Sequence, residues 1–489
     1  MSCARELAAL HPDLRVVLVE RAYAGSGASG RNTGYLNFSC VGHHPADLVH
    51  KVGPERAREL SIFAERGYDE VRRLVAEHNI DCELEETGLA YTAVDAYQDR
   101  EVQRMAAAWC AMGHTGGRVW SGKDCQGQIG SPHFTSAFYD SKASCINPFK
   151  LARGLLDRVV VPLANVRVYE GTAVTALKVT TKNGTTAVLE NGMRIHARAA
   201  AVNTMNVYNH DLAPYSRSFC PFHVYSIVTQ PLSDEQLARL SYRSRVGCYT
   251  LHDILYAFRL TKDNRLVYAT GDATYHGNRM HVPESHIYER LEKAMHAVHD
   301  GRLPVDLKIA SRWEGVIGLN FDDIPIMGSL LPRDRSLYHA YAYCGHGVCL
   351  SQACGRLVAT QFYHDHLHPG TGPLLRLPSP PPSARDPGEV VATWQVSPSL
   401  ACARSSADIP VPPWVWARCA IDSTYLQLLR QRNDWFDSLS LFRRDRTFVS
   451  RVFAQIGLFL TRPDVMTYST IVIIAFVVYF MASLYLTLW

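Results

Sequence analysis

Hydrophobic and polar positions change period repeatedly along the first part of this chain, and the first change is the most informative. Cys3, Ala4, Leu7 and Ala8 recur at helical spacing and form a stripe of small residues, which predicts a helix over Met1 to Leu10 suited to close packing on a sheet. From Arg15 to Gly34 the chain then reads RVVLVERAYAGSGASGRNTG, an apolar strand closed by an acid and followed by a turn rich in glycine and serine. This order matches the second half of a dinucleotide-binding βαβ unit, in which an acid about 20 residues beyond the phosphate-binding glycines bonds the ribose. Any βα connection of an α/β protein shares the same local pattern. On the dinucleotide reading the acid is Glu20, and the phosphate turn falls before Met1. A literal GxGxxG, Gly25, Gly27 and Gly30, follows the acid-ended strand, where a helix dipole does not point at a pyrophosphate; it is not expected to hold one.

Further along, Asn147 and Pro148 form an N-cap and first helical position, predicting a helix to Val160. The segments VRVYEGTAVTALKVT and TAVLENGMRIHARAAAV carry alternating β-branched residues around Asn183-Gly184 and Asn191-Gly192, a strong hairpin signal. HVYSIVTQ and ILYAFRLTKDNRLVYATGD predict further strands, the latter folding around Lys262-Asp263-Asn264. Within them Tyr256, Phe258 and Tyr268 fall on one face and Arg259 on the other, as in any half-buried strand.

The far end has another character. Ile471 to Trp489 carry no charge and, with Met466 to Thr470, reach the roughly 20 residues needed to cross a ~30 Å hydrocarbon layer. Globular core helices seldom run this long without a charge. Arg443, Arg444, Arg446, Arg451 and Arg462 precede the run, so 466–489 is expected to be a single-pass C-terminal anchor that keeps the body of the chain in the cytoplasm. Residues 378–413, rich in Pro, Ser and Ala, read as a linker that cannot bury enough to fold. Residues 414–465 read as a juxtamembrane helical segment; Trp435, Phe436, Leu439, Leu441 and Phe442 either meet the membrane interface or pack on the body.

Composition narrows the class. With 489 residues, 47% hydrophobic and 20% charged, the chain has room for two or three domains with a large core. A net charge of +4 without a basic stripe interleaved with aromatics argues against a nucleic-acid partner. The 13 cysteines contain no CxxC pair, which indicates neither a zinc site nor a disulfide scaffold and fits a reducing compartment. The HDHLH run at His364 to His368 has metal-ligand residue types, but it closes a helix beside a Pro-Gly turn and is read as solvated surface, so no metal site is expected.

Glu20 and GSGASGRNTG are joined by CINPFKLARGLL (Cys145 to Leu156), YSIVTQPLSDEQL (Tyr225 to Leu237), RWEGVIGLNFDDIPIMG (Arg312 to Gly328) and YAYCGHGVCLSQACGRL (Tyr341 to Leu357). In this order and spacing the chain, from Met1 to about Tyr363, resembles the D-amino-acid-oxidase-like (DAO) family of FAD-dependent amine oxidoreductases. Within it the likeness is to the branch with an ASGRNGG turn that includes gamma-glutamylputrescine oxidases, without that family's first strand and GxGxxG turn. The resemblance implies an α/β fold with an α+β cap. A discontinuous Rossmann-like FAD-binding domain would cover 1–60, 147–208 and 308–363, with a β-rich substrate domain over 61–144 and 209–305, and the transmembrane helix beyond.

The same resemblance assigns roles. Glu20 would meet the ribose, and Ser29, Gly30, Arg31, Asn32 and Gly34 would wrap under the isoalloxazine and ribityl chain. Val174 would place its backbone against the adenine or serve only as scaffold. Gly345, His346, Gly347 and Val348 would open a helix whose free N–H groups stabilise negative charge on the reduced flavin, although a GHG turn is also a common helix entry. In VNTMN, Asn203 and Met205 stand where the family has smaller residues. Tyr256, with Phe258 and Tyr268, would form an aromatic wall at the substrate, and His346 and Arg312, with Trp313, would lie near the flavin edge.

Members that oxidise free α-amino acids carry an arginine in a GLRP-like motif, about five residues before the aspartate of a DxxP element. Here that aspartate is Asp322 and the arginine position is Ile317. The implied substrate is therefore an amine or N-substituted compound. The implied chemistry is hydride transfer from an amine C–H to flavin N5, giving an imine, with oxygen or another acceptor taking the electrons. The alternative from the same residues is a catalytically inactive remnant or interaction protein that binds FAD weakly or not at all.

Overall fold

The structure, a computed structural model, describes residues 1–37, 44–180, 184–211, 220–252, 255–275, 284–319, 325–331 and 334–366. The expected linker, juxtamembrane segment and membrane anchor all lie outside these residues. Among the described residues no helix is long and apolar enough to cross a membrane.

The chain begins with helix α1 (Ser2–Leu10), strand β1 (Val16–Val19), the short α2 (Ala28–Arg31), β2 (Tyr35–Leu36), α3 (Pro45–Val52) and the long α4 (Pro54–Glu77). It continues through β3 (Leu89–Ala93), α5 (Ala96–Ala111), β4 (Gly117–Ser121), α6 (Gly122–Ile129), β5 (Ser136–Asp140) and β6 (Ser144–Cys145). Helix α7 (Pro148–Leu155) ends in a π turn, followed by β7 (Val166–Tyr169), β8 (Val174–Thr180), β9 (Gly184–Leu189), β10 (Arg194–Ala197) and β11 (Ala201–Asn203). Then come β12 (Cys220–Thr229), α8 (Asp234–Leu240), β13 (Gly247–Thr250), β14 (Tyr256–Leu260), β15 (Leu266–Tyr275) and α9 (Glu284–Val298). The described chain closes with β16 (Ile309–Leu319), β17 (Ile326–Leu331), β18 (Asp334–Tyr341) and α10 (Gly347–His366).

Local signals account for much of this. Helix α1 buries Cys3, Ala4, Leu7 and Ala8 as its periodicity demands. The Asn147 side chain accepts from the Lys150 N–H at 3.2 Å and Pro148 takes the first turn of α7. Strands β8, β9 and β10 form consecutive antiparallel pairs. The segment VRVYEGTAVTALKVT, however, splits at Glu170-Gly171: β7 pairs in parallel with β1, Val16 opposite Val166, and only β8 enters the hairpin. The parallel pairs β1–β7 and β11–β18 are the crossover connections of a Rossmann-like α/β region. Its core unites α1, α4 and α10, and α4 comes so close to α10 that a Cβ on Gly67 would lie 2.2 Å from the Cys349 carbonyl oxygen. The expected boundary at residue 60 therefore falls inside one continuous helix that packs on α10.

The second large element is an eight-stranded sheet in the order β16-β12-β15-β14-β13-β3-β5-β4, antiparallel except for β13 beside β3. Both of its faces are covered. One buries Tyr225, Ile227, Phe258 and Tyr268 against Ile287, Leu291 and Met295 of α9. The other carries Tyr91, Tyr249, Ala257, Ala269 and Arg259 and meets Tyr35 of β2.

His299, just past α9, is fully buried beside the stacked Phe258 and Tyr268 rings, its Nε2 3.2 Å from the Tyr268 hydroxyl and its Nδ1 without a hydrogen-bond partner. Burial holds its pKa down from the ordinary 6.5 to about 3. The unfolded chain takes up this proton first, so the stability that neutral His299 contributes is complete above 6.5 and is lost as pH falls toward 3. Urea melts should lose up to about 1.4 kcal/mol per pH unit from this residue in that window. His299→Phe should flatten that part of the slope.

Candidate flavin site

Three segments far apart in sequence converge along the edge strand β16. The first is the turn Gly27–Gly34. Asn32 builds it from within: its Nδ2 donates to the carbonyls of Ala28 (3.0 Å) and Ser29 (3.1 Å), and its Oδ1 accepts from the Gly34 N–H at 2.9 Å. Two further carbonyls take donors from the sheet. Trp313 Nε1 donates to Arg31 at 2.8 Å, and Arg259 Nε donates to Thr33 at 2.7 Å. In return Arg31 Nη1 donates to the Glu314 carbonyl at 3.3 Å.

The glycines of this turn have packing reasons. A Cβ on Gly30 would stand 2.2 Å from the Gly25 carbonyl oxygen, and one on Gly25 would meet the Phe149 ring at 2.9 Å. Two glycines of the literal GxGxxG, Gly25 and Gly30, thus serve the folding of the turn. Gly34 has φ +81, where a side chain is strained, and a Cβ there would meet the Ile146 carbonyl oxygen at 2.1 Å.

The second segment is the loop before α10. Ala342, Cys344 and Gly345 all adopt left-handed backbone, with φ of 57°, 49° and 87°. The Cys344 N–H donates to the Gly318 carbonyl of β16 at 3.2 Å, and the Ala342 N–H donates to Asn206 Oδ1 at 3.0 Å. His346 is buried and its Nδ1 lies 3.0 Å from the Cys344 carbonyl. A carbonyl only accepts, so Nδ1 carries a proton. Beside Gly345 a Cβ would meet nothing within 4 Å, so the first turn of α10, whose N–H groups have no intrahelical acceptors, opens on free space.

The third segment follows β11. Asn203 Oδ1 accepts from the Met205 N–H at 3.1 Å, so the larger residues of VNTMN form their own turn. Asn206, at φ 50°, is the residue that pins the α10 loop.

At the opposite end, Glu20 closes β1 and its Oε1 accepts from the Ala22 N–H at 3.0 Å. Its carbonyl accepts from Thr172 N at 2.8 Å, which brings Glu20 beside the start of β8 at Val174.

Two expected site residues lie elsewhere. Arg312 stands on the α9 face of β16, opposite Ile227, where its Nε and Nη2 bond Glu292 Oε1 at 3.0 and 2.5 Å; strand alternation sends Trp313, not Arg312, to the turn. Tyr256, Phe258 and Tyr268 belong to the α9-side core, with Phe258 and Tyr268 stacked at 4.9 Å. The expected aromatic wall is therefore the inside of the cap, and the face presented to the turn is that of Arg259. In its place the turn-side face carries Tyr35, Tyr249 and Tyr91, in ring contact at 4.8 and 5.5 Å. Burial pushes all three hydroxyls well up, so they remain protonated, and Tyr35 donates to the Phe258 carbonyl at 2.7 Å. Sequence reasoning placed Arg259 on the opposite strand face without a site role and gave none to Asn206; the signal for Asn206 was an asparagine in the turn after a strand, a residue tolerant of positive φ.

The fold is matched by known proteins. The model of the family described as FAD dependent oxidoreductase (DAO) matches residues 1–361. Gamma-glutamylputrescine oxidoreductase of Escherichia coli (strain K12) is 28% identical over 347 residues, covering 70% of this chain and 77% of that protein. A probable oxidoreductase OrdL of Haemophilus influenzae is 23% identical over 385 residues, covering 78% of this chain and 84% of its own. Among solved structures, glycine oxidase from Geobacillus kaustophilus superposes with a TM-score of 0.59 at 19% identity, covering 74% of this chain and 91% of that one. Iminodiacetate oxidase from Chelativorans sp. BNC1 gives 0.58 at 15% identity, covering 77% and 95%.

The chain belongs to the DAO family of FAD-dependent oxidoreductases, and FAD is the family's cofactor. The residues present fit it. The open space beside Gly345, the donor-bearing first turn of α10 and the self-supporting turn at Asn32 suit the flavin end, and Glu20 with the neighbouring β8 suits the adenosine end. No glycine turn suited to the pyrophosphate occurs among the described residues.

Gly34→Ala tests the turn. Its Cβ would displace Ile146 or Arg259, so a loss of about 1–3 kcal/mol of stability is expected in denaturant melts, together with weakened FAD retention.

Proposed function

We propose that this chain oxidises a small amine at its C–N bond, and that the substrate presents no carboxylate needing a bidentate grip beside the reacting carbon. The carrying observation is Ile317. It stands in β16 opposite Phe222, on the same strand face as Trp313, where the family's amino-acid oxidases have their arginine. An isoleucine offers no donors, so a carboxylate brought there would lose its hydration without a partner. The named substrate of the Escherichia coli relative supports a polyamine-derived amine, with oxygen or another acceptor completing the cycle.

When bound, FAD supplies the electron-accepting chemistry. The protein binds and orients. The first turn of α10 favours negative charge at its N-terminus, and the bond of His346 Nδ1–H to the Cys344 carbonyl fixes that ring beside it. The buried Tyr35, Tyr249 and Tyr91 cluster gives the turn-side face of the cap an aromatic patch beside Arg259.

The deciding experiment is a visible absorption spectrum of the purified full-length chain, followed by a panel of gamma-glutamylputrescine, putrescine and glycine. A flavin spectrum with turnover of the polyamine-derived substrates and not of glycine is expected. Ile317→Arg should move kcat/KM toward glycine by about tenfold or more. A folded, colourless wild-type chain would overturn the reading in favour of an inactive remnant.

We also propose that 466–489 anchors the protein in a membrane with its body in the cytoplasm, supported by the uncharged run Ile471 to Trp489 and the arginines before it. The chain should stay with membranes through an alkaline carbonate wash, and a chain lacking 466–489 should be released; release of the full-length chain would refute the anchor.

A further inference from the structure

Arg259 is the least explained charge in the described molecule. It sits on β14 at 5% exposure, yet its hydrogen bonds go to neutral carbonyls: Nε to Thr33 and Nη2 to Ile146, each at 2.7 Å. Among the described residues no carboxylate lies within ion-pair distance of it. The titratable groups whose environment it shapes are the Tyr35 hydroxyl and the Cys145 thiol, both held neutral by burial. A buried guanidinium without a counter-charge is costly to keep and needs a compensating task.

The contacts define that task. Thr33 lies in the Gly27–Gly34 turn, and Ile146 directly follows β6 and donates its N–H to the Gly34 carbonyl at 2.8 Å. One planar side chain from the cap sheet therefore ties together the turn and the strand end that braces it. A Cβ on Gly34 would lie 2.7 Å from Arg259 Nη2, so the guanidinium fills the space that Gly34 leaves. Of the other ties to the cap sheet, Trp313 to Arg31 and Arg31 to Glu314 are solvent-exposed, Tyr249 bonds the Thr33 side chain, and Tyr35 donates to the Cys248 and Phe258 carbonyls; Arg259 alone reaches both the Thr33 carbonyl and the buried Ile146 carbonyl.

We propose that Arg259 is a positioning residue, fixing the Gly27–Gly34 turn against the cap sheet and so setting the surface on which the flavin lies. That the turn serves a flavin rests on the function proposed above; that Arg259 holds the turn does not. Removing the side chain takes the donor from the buried Ile146 carbonyl and from the partly buried Thr33 carbonyl.

Hydrogen–deuterium exchange on the full-length chain without added FAD tests the tie directly. In Arg259→Met, amide exchange across residues 33–36 is expected to rise about tenfold or more, while peptides of α9 keep wild-type rates. Arg259→Lys, which keeps a charged donor but not the fork, should recover part of the protection. Unchanged exchange at 33–36 in Arg259→Met overturns the proposal. Should that variant exchange globally, Arg259→Lys decides by the same comparison: raised exchange confined to 33–36 supports the proposal, and wild-type exchange there overturns it. FAD titration is the second readout. Arg259→Met should raise the FAD dissociation constant about tenfold, with Arg259→Lys in between. A wild-type chain that takes up no FAD defeats the functional reading, and the exchange result then decides the role of Arg259 alone.

Discussion

A turn that faces two domains cannot satisfy its own carbonyl groups, and the Gly27–Gly34 turn is built around that constraint. Asn32 takes care of two carbonyls and one N–H from inside. The carbonyls of Arg31 and Thr33 depend on Trp313 and Arg259, side chains of the cap sheet. The partly buried Thr33 carbonyl loses stability without its donor, so the turn is placed with β14, and the solvent-exposed Trp313 bond adds β16. The site is therefore a property of the contact between the α/β region and the cap sheet, and neither supplies it alone.

Strand β16 extends the same logic. Its Glu314 carbonyl meets Arg31, and its Gly318 carbonyl meets the Cys344 N–H ahead of α10. The left-handed backbone at Ala342, Cys344 and Gly345 is costly in isolation and is held by that bond and by Asn206. Strain is concentrated where a helix N-terminus must open on free space, and the close packing of α10 against α4 at Gly67 fixes the direction in which it opens.

The chemistry open to such a site is narrow. Ile317 and its cross-strand neighbour Phe222 carry no charge, the buried tyrosines of the turn-side face stay protonated, and His346 has one nitrogen committed to backbone. These features suit a neutral amine approaching a flavin better than an anionic substrate, which would meet no guanidinium fork at that strand position.

Much of this was legible in the sequence. The stripe of α1, the cap of α7, the hairpins β8–β9 and β9–β10, the Glu20 strand end and the ASGRNTG and GHG turns rest on periodicity and turn chemistry between near neighbours, and these do not wait for the rest of the fold. What only tertiary structure decided was which side of a strand is functional. Alternation along β14 and β16 separates Tyr256 from Arg259 and Arg312 from Trp313, but it identifies an inward face only when the other meets water. Here protein covers both faces of the eight-stranded sheet, and the partners waiting on each side, α9 on one and unsatisfied turn carbonyls on the other, made the aromatic residues core and left arginine and tryptophan to hold the site.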